Sequence, residues 1–202
     1  MARPRGEGRS GRDGVVDAAV ENFTALGYHG TSMRDIARSA GVTVASIYHH
    51  FSSKQEILQH IMTGTLTDVL GSTQAAVREA PEAPTQRLAA LVEAWILFHT
   101  HSQAEALIGA SELRSLDDAG RAQVVALRDQ QELVFREVVE AGVASGEFGT
   151  THPREAARAI INMGYAIASW YRLGGEVSPE EMAARYVDLA LGTVLARSLT
   201  ET

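Results

Sequence analysis

Two groupings in this sequence have residue types that can bind a nucleotide or a metal ion. Gly6, Gly8 and Gly11 have the spacing of a dinucleotide-binding loop, but no apolar strand precedes them, which favours a flexible arm. His99 and His101 are two residues apart, so a helix would point them about 200° away from each other. That separation is too wide for both to bind one metal ion. No serine-nucleophile, phosphate-loop or zinc-protease pattern occurs, so we predict no catalytic residue, no metal site and no cofactor.

Basic residues are concentrated at the N-terminus of an acidic chain. The formal net charge is −7, but residues 1–60 carry seven Lys or Arg against six Asp or Glu. The first twelve residues contain Glu7 and four cations, Arg3, Arg5, Arg9 and Arg12. This asymmetry favours an N-terminal contact with nucleic acid, and a solvated tail without a partner is the alternative.

The spacing of apolar residues predicts an all-α protein. Apolar positions recur at helical intervals along most of the 202 residues, and no segment shows the alternation typical of a strand. The most apolar stretch, residues 159–171, is shorter than the roughly 20 residues that span a bilayer. With no cysteine and no signal peptide, we expect a cytoplasmic protein without a membrane segment.

Residues 33–50 have the lengths of a helix-turn-helix. A short helix over 33–39 is capped by Ser32 with Asp35 three residues later, Gly41 lies in the turn, and Thr43 can cap a second helix over 44–50. Such a unit places its last helix in the major groove of DNA. A helical hairpin that does not bind DNA has the same spacing and is the alternative at this point.

The run from Gly30 to Leu58, GTSMRDIARSAGVTVASIYHHFSSKQEIL, resembles the signature of the TetR family. The resemblance implies a homodimer that binds a near-palindromic DNA operator and senses a small molecule. We therefore expect a flexible basic arm over 1–12, a three-helix helix-turn-helix domain over 13–52, and a six-helix ligand-binding and dimerisation domain over 53–202. Repression released by the ligand is the regulatory mode that the family implies.

The resemblance places Thr43, Val44, Ala45 and His49 on the groove side of the recognition helix and assigns phosphate contacts to Thr31, Tyr48 and Lys54. We also expect hydroxyl and imidazole groups to read the bases, and the arm to insert into a minor groove. The predicted DNA-binding residues are Arg9, Arg12, Thr31, Ser32, Thr43, Val44, Ala45, Ser46, Tyr48, His49, His50 and Lys54.

Large inward side chains in the later helices predict a ligand cavity, although ordinary core explains many of them equally well. Residues 111–116 and 170–172 are similar to the TetR branch that senses acyl-CoA thioesters, and Arg114 could bind an anionic head group. A surface ion pair involving Glu112 is the alternative role for Arg114. The predicted ligand residues are Met62, Leu66, Leu91, Trp95, Phe98, His99, Glu112, Leu113, Arg114, Leu127, Gln131, Phe135 and Met163.

Apolar stripes with small residues on the last two helices predict a four-helix dimer interface, with an internal face of a monomer as the alternative. The predicted residues are Ala156, Ile160, Met163, Gly164, Ile167, Trp170, Met182, Tyr186, Leu189, Ala190 and Thr193.

Two other functions fit the same residues less well than a ligand-responsive repressor. A nucleoid protein would bind DNA without any ligand. A small helical enzyme would use the cavity, with His99 as the base and Arg114 as the anion holder. We expect operator DNA, a second copy of the chain and a small apolar or amphipathic effector as the partners.

Overall fold

The computed structural model describes residues 11–195, and all regular secondary structure within them is helical, as predicted. The elements are α1 (Arg12–Leu26), α2 (Met33–Ala40), α3 (Val44–Tyr48), α4 (Lys54–Glu79), α5 (Pro84–His101), α6 (Gln103–Ser111), a 3₁₀ turn (Leu113–Ser115), α7 (Asp118–Ser145), α8 (Pro153–Trp170) and α9 (Pro179–Leu195).

The starts of α2 and α3 are fixed by side-chain caps, as the sequence predicted. The Ser32 hydroxyl accepts a hydrogen bond from the Asp35 N–H, and the Asp35 carboxylate accepts one from the Ser32 N–H. These bonds lower the pKa of Asp35. The Thr43 hydroxyl accepts from the Ser46 N–H at 3.1 Å. Between the two caps, Gly41 ends α2 with a φ of +67°, a left-handed conformation that glycine adopts at little cost.

Two serines cap the start of α4. The Ser53 hydroxyl does accept from the Glu56 N–H at 3.1 Å. The Glu56 carboxylate, however, accepts from the N–H and the hydroxyl of Ser52, at 2.6 and 2.7 Å. The carboxylate thus binds Ser52 rather than the N–H of Ser53, which is the donor that a regular capping box would use.

Two helix boundaries differ from the predictions. α1 starts at Arg12, which was expected to belong to the arm, and α3 ends at Tyr48 rather than at about residue 50. α6 ends at Ser111, and a 3₁₀ turn follows it.

The chain divides into two compact units. The first extends to Leu66 and also contains Ala104–Val125, and the second contains Thr67–Gln103 and the chain from Ala126 onward. The predicted domain boundary at residue 52 falls inside the first unit. α6, the 3₁₀ turn and the start of α7 therefore belong with the helix-turn-helix.

Each unit has its own apolar core. In the first unit, buried Phe23, Ile36, Ile47 and Phe51 hold the three short helices together, because none of these helices is long enough to be stable alone. In the second unit, α5 packs against both α8 and α9, and Trp95 of α5 is fully buried. No helix within residues 11–195 is both long and apolar enough to cross a membrane.

Candidate functional site

α3 is anchored on one side and exposed on the other. Ile47 is fully buried in the first unit, whereas Tyr48 is 54% exposed. Val44 and Ser46 are half-buried, and the remaining predicted contacts on and around α3 are exposed: Thr43, Ala45, His49 and His50. The five-residue helix thus presents hydroxyl, methyl and imidazole groups, which can contact base edges in a major groove.

Thr31 and Lys54 have structural contacts that the sequence did not predict. Thr31 is 2% exposed, and its hydroxyl donates to the carbonyl oxygens of Asn22 and Gly27. Its N–H donates to the Tyr28 carbonyl oxygen. The predicted phosphate contact of Thr31 is therefore corrected, since both of its donors are already engaged.

Lys54 binds the same loop from the start of α4. Its ammonium group donates to the carbonyl oxygens of Tyr28 and Thr31, at 2.6 Å each, and lies 4.3 Å from the centre of the Tyr28 ring. Partial burial lowers the pKa of Lys54, and the nearby Glu112 carboxylate acts in the opposite direction. Two of the three N–H groups of the ammonium are used within the protein, which leaves one for a phosphate.

Minor-groove contacts were predicted for Arg9 and Arg12, and only Arg12 lies within the described residues. Arg12 is the first residue of α1; its guanidinium lies 4.9 Å from the centre of the Phe51 ring and 3.4 Å from His60 Nδ1. Arg12 thus packs on the folded unit rather than extending from an arm. Arg9 lies outside the described residues.

At the start of α2, the roles of two neighbouring residues differ from the prediction. The Ser32 hydroxyl both accepts from the Asp35 N–H and donates to its carboxylate, so capping competes with the predicted DNA contact. Arg34, which was not predicted, is exposed, and its side chain makes no hydrogen bond or ion pair within residues 11–195. The sequence did contain a signal for this residue, since Arg34 is an arginine on the first helix of the predicted helix-turn-helix.

The segment after α6 contacts the loop between α1 and α2 inside the first unit. The Ser115 hydroxyl lies 3.2 Å from His29 Nε2 and donates to the Glu112 carboxylate at 2.8 Å. Glu112 also raises the pKa of Tyr28, after the larger effect of burial. Glu112 therefore binds hydroxyls instead of Arg114, and Arg114 is exposed on the 3₁₀ turn.

In the second unit, several predicted ligand residues form one aromatic cluster. The ring centres of Trp95 and His99 are 4.3 Å apart, and Phe135 and Tyr165 pack edge-on against Trp95 at 5.5 and 5.2 Å. Phe98 meets the His99 ring at 5.4 Å. Tyr165 was missed by the sequence analysis, because its place in an apolar helix gives no sign of its neighbours.

The other predicted ligand residues lie in several places. In the second unit, Gln131 is buried and its amide contacts the Thr73 hydroxyl at 3.1 Å. Leu91 is buried there, and Leu127 and Met163 are half-buried. Met62 is buried in the core of the first unit, against which Leu66 and Leu113 pack.

The predicted dimer stripes mostly face the interior of the subunit, which corrects the prediction. Six of their residues are buried in the second unit, because α8 and α9 pack against each other and against α5. They are Ala156, Ile160, Gly164, Ile167, Met182 and Ala190. Trp170 and Leu189 remain exposed, at 49% and 54%, and Met163, Tyr186 and Thr193 are half-buried.

Two family models match the chain. One, described as bacterial regulatory proteins of the tetR family, matches residues 15–61. The other, the tetracyclin repressor-like C-terminal domain, matches residues 81–194, which is more than half of the sequence. The chain belongs to the TetR family. Members of this family are transcription factors rather than enzymes, and they bind operator DNA and act as dimers.

Relatives of this TetR-family chain include regulators of known structure. The transcriptional repressor KstR2 of Mycolicibacterium smegmatis is 28% identical, over 92% of this chain and 91% of that protein. A tetR-family regulatory protein from Rhodococcus RHA1 is 33% identical over 92% of this chain and 97% of that chain, with a TM-score of 0.85. AibR in complex with isovaleryl coenzyme A and operator DNA is 25% identical over 88% of this chain and 96% of that chain, with a TM-score of 0.79.

Proposed function

We propose that this TetR-family chain is a homodimeric repressor that leaves its operator when an acyl-coenzyme A thioester binds. The DNA-binding part of the proposal rests on the orientation of α3. Ile47 is buried and anchors the helix, so that the face with Thr43, Tyr48 and His49 is exposed. Two copies of that face, related by a two-fold axis, suit two half-sites of a palindrome.

The choice of repression and of effector is supported by similarity. KstR2 is a repressor by name, and AibR has been solved with isovaleryl coenzyme A and operator DNA together. The buried aromatic cluster of the second unit suits the acyl part of such a ligand, since apolar sites with few polar groups are typical of small-molecule binding.

The test begins by selecting operator sequences from random DNA with the full-length chain. Gel shifts with the selected DNA then receive isovaleryl-CoA, decanoyl-CoA, the matching free acids or coenzyme A alone. We expect release by at least one thioester and not by coenzyme A. By linkage, the thioester must bind more weakly, by the same factor, when operator is present. Tight binding to bulk DNA with no selected sequence would contradict the proposal.

A single hydroxyl tests the orientation of α3 on the DNA. Tyr48 is 54% exposed and its hydroxyl makes no hydrogen bond within residues 11–195, so the hydroxyl is available to a phosphate. We expect Tyr48→Phe to weaken binding about tenfold, similarly on all operator variants, because a phosphate contact does not read sequence. His49→Ala is the comparison, and it should change the sequence preference. A Tyr48→Phe variant with wild-type affinity would remove this contact from the proposal.

A further inference from the structure

His99 is a buried histidine with one free ring nitrogen. Its side chain is 2% exposed, and Nδ1 lies 2.8 Å from the Trp95 carbonyl oxygen. Because a carbonyl oxygen only accepts hydrogen bonds, Nδ1 carries the proton and Nε2 keeps its lone pair. Within residues 11–195, Nε2 has no hydrogen-bond partner.

Aromatic rings surround this imidazole. Its centre is 4.3 Å from that of Trp95 and 5.4 Å from those of Phe98 and Tyr165. No carboxylate within residues 11–195 forms an ion pair with it. Burial lowers the pKa of His99 to about 4, so the ring is neutral at physiological pH. The cluster therefore contains a fixed hydrogen-bond acceptor in apolar surroundings.

The neighbouring histidine shows that the backbone bond alone does not explain this arrangement. His101 Nδ1 makes the same kind of contact one turn back, 2.7 Å from the Leu97 carbonyl oxygen, but its ring is exposed and water can reach Nε2. The His99 ring is buried instead, and no residue within 11–195 donates a hydrogen bond to its second nitrogen.

We propose that Nε2 of His99 accepts a hydrogen bond from a hydroxyl group on the apolar part of the effector. The ligand class is then a hydroxylated acyl group rather than the corresponding ketone. A ketone oxygen would place a lone pair against the lone pair of Nε2. The indole N–H of Trp95 cannot compensate, because it already donates to the Ile161 carbonyl oxygen at 3.2 Å. This inference rests on the proposed function and specifies its ligand.

The experiment compares pairs of probes that differ only in a hydroxyl or a keto group. Cyclohexanol and cyclohexanone test the cluster without an acyl chain, and 3-hydroxydecanoyl-CoA and 3-oxodecanoyl-CoA test it with one. Titration calorimetry on the full-length protein should give about a tenfold preference for the hydroxyl member of at least one pair. In His99→Phe the preference should fall to within about twofold.

Two matched variants isolate the nitrogen. His101→Phe removes the exposed histidine of the same helix and should keep the full preference. Tyr165→Phe removes the hydroxyl group of the cluster and should also keep the preference. Equal affinities for hydroxyl and keto probes in the wild type would overturn the inference, and so would a preference that survives in His99→Phe or disappears in Tyr165→Phe. The wild-type comparison holds even if a variant does not fold.

The outcomes also separate this inference from the proposed function. If the thioesters bind and release DNA without preferring the hydroxyl, the ligand assignment is wrong while the repressor function stands. If cyclohexanol is preferred through His99 but no thioester binds, the acyl-CoA class is wrong and the hydroxyl contact stands. If no probe binds, both are overturned.

Discussion

The ammonium group of Lys54 donates a 2.6 Å hydrogen bond to the carbonyl oxygen of Thr31 and so ties the start of α4 to the loop that precedes α2. A second bond of the same length goes to the Tyr28 carbonyl oxygen, and the ammonium lies over the Tyr28 ring. A lysine that sequence similarity assigns to DNA is thus also part of the fold of the DNA-binding unit. A contact of Lys54 with DNA and a role of Lys54 in the fold predict different effects of replacing it.

We predict that Lys54→Met lowers the free energy of unfolding by about 1 to 3 kcal/mol. Methionine keeps much of the apolar stem but loses two charge-assisted hydrogen bonds, each to a carbonyl that would then have to find water. Urea denaturation followed by circular dichroism measures the change. Gln55→Met, at the next position of the same helix, is the control and should have little effect. A variant as stable as the wild type but with weaker, less salt-dependent DNA binding would show that Lys54 acts only on the phosphate.

The exposed residues of α8 and α9 predict which substitutions separate the subunits. We expect Leu189→Glu to convert a micromolar dimer to monomers without unfolding, because Leu189 is 54% exposed and a carboxylate there would be buried by a partner. Sedimentation velocity measures the change. Ile167→Glu should instead unfold the second unit, since Ile167 is fully buried. Leu26→Glu, at a residue 55% exposed in the first unit, is the control. A dimeric Leu189→Glu protein would exclude this face.

Much of the fold could be predicted because its signals are local. The cap at Ser32, the turn at Gly41 and the cap at Thr43 each act within a few residues, and the structure has all three. A proline at the first position likewise marks the start of α8 at Pro153. These signals locate α3, and the buried position of Ile47 then determines which face of α3 is exposed.

The sequence could not predict which neighbour covers an apolar stripe. Gly164 and Ile167 suit a close contact with another helix, but only the three-dimensional structure shows that α5 of the same subunit makes it. The same limit applies to Thr31, whose hydroxyl is as plausible at a phosphate as at the carbonyls it binds. Non-local packing decides both cases.

Gly164 of α8 lies directly against the indole ring of Trp95 of α5. A Cβ added at Gly164 would lie 2.1 Å from the indole nitrogen of Trp95, so the fully buried indole would have to move. We predict that Gly164→Ala lowers the free energy of unfolding by about 1 to 3 kcal/mol, the range for overpacking a core. Urea denaturation and the fluorescence of Trp95 in a Trp170→Phe background report the loss.

The control for that substitution is a helical glycine with room around it. A Cβ at Gly71 of α4 would meet nothing within 4 Å, so Gly71→Ala should stabilise the protein by up to about 1 kcal/mol through helix propensity. If Gly164→Ala were as stable as Gly71→Ala, the close contact between α8 and Trp95 would be absent in solution.

His99 should make the stability of the protein depend on pH between about 4 and 6.5. Burial lowers its pKa in the folded state from the ordinary 6.5 to about 4. Tyr165 lies beside the His99 ring, and the charged groups that act on Tyr165 are Arg128 and Glu132. As the pH falls below 6.5, the unfolded chain binds a proton that the folded protein binds only near pH 4. The contribution of neutral His99 is therefore complete above pH 6.5 and is lost progressively down to about pH 4, by about 3 kcal/mol in total.

The measurement is the free energy of unfolding at several pH values, compared between the wild type and His99→Phe. The other titrating groups are common to both proteins, so the difference between the two curves isolates His99. That difference should be constant above pH 6.5 and should shift in favour of the variant as the pH falls to 4, because phenylalanine takes up no proton in the unfolded chain. His101→Phe, whose ring is exposed, is the control and should follow the wild-type curve. Parallel curves for the wild type and His99→Phe across this range would contradict the prediction, because they would mean that the His99 ring takes up its proton equally well in the folded and unfolded protein.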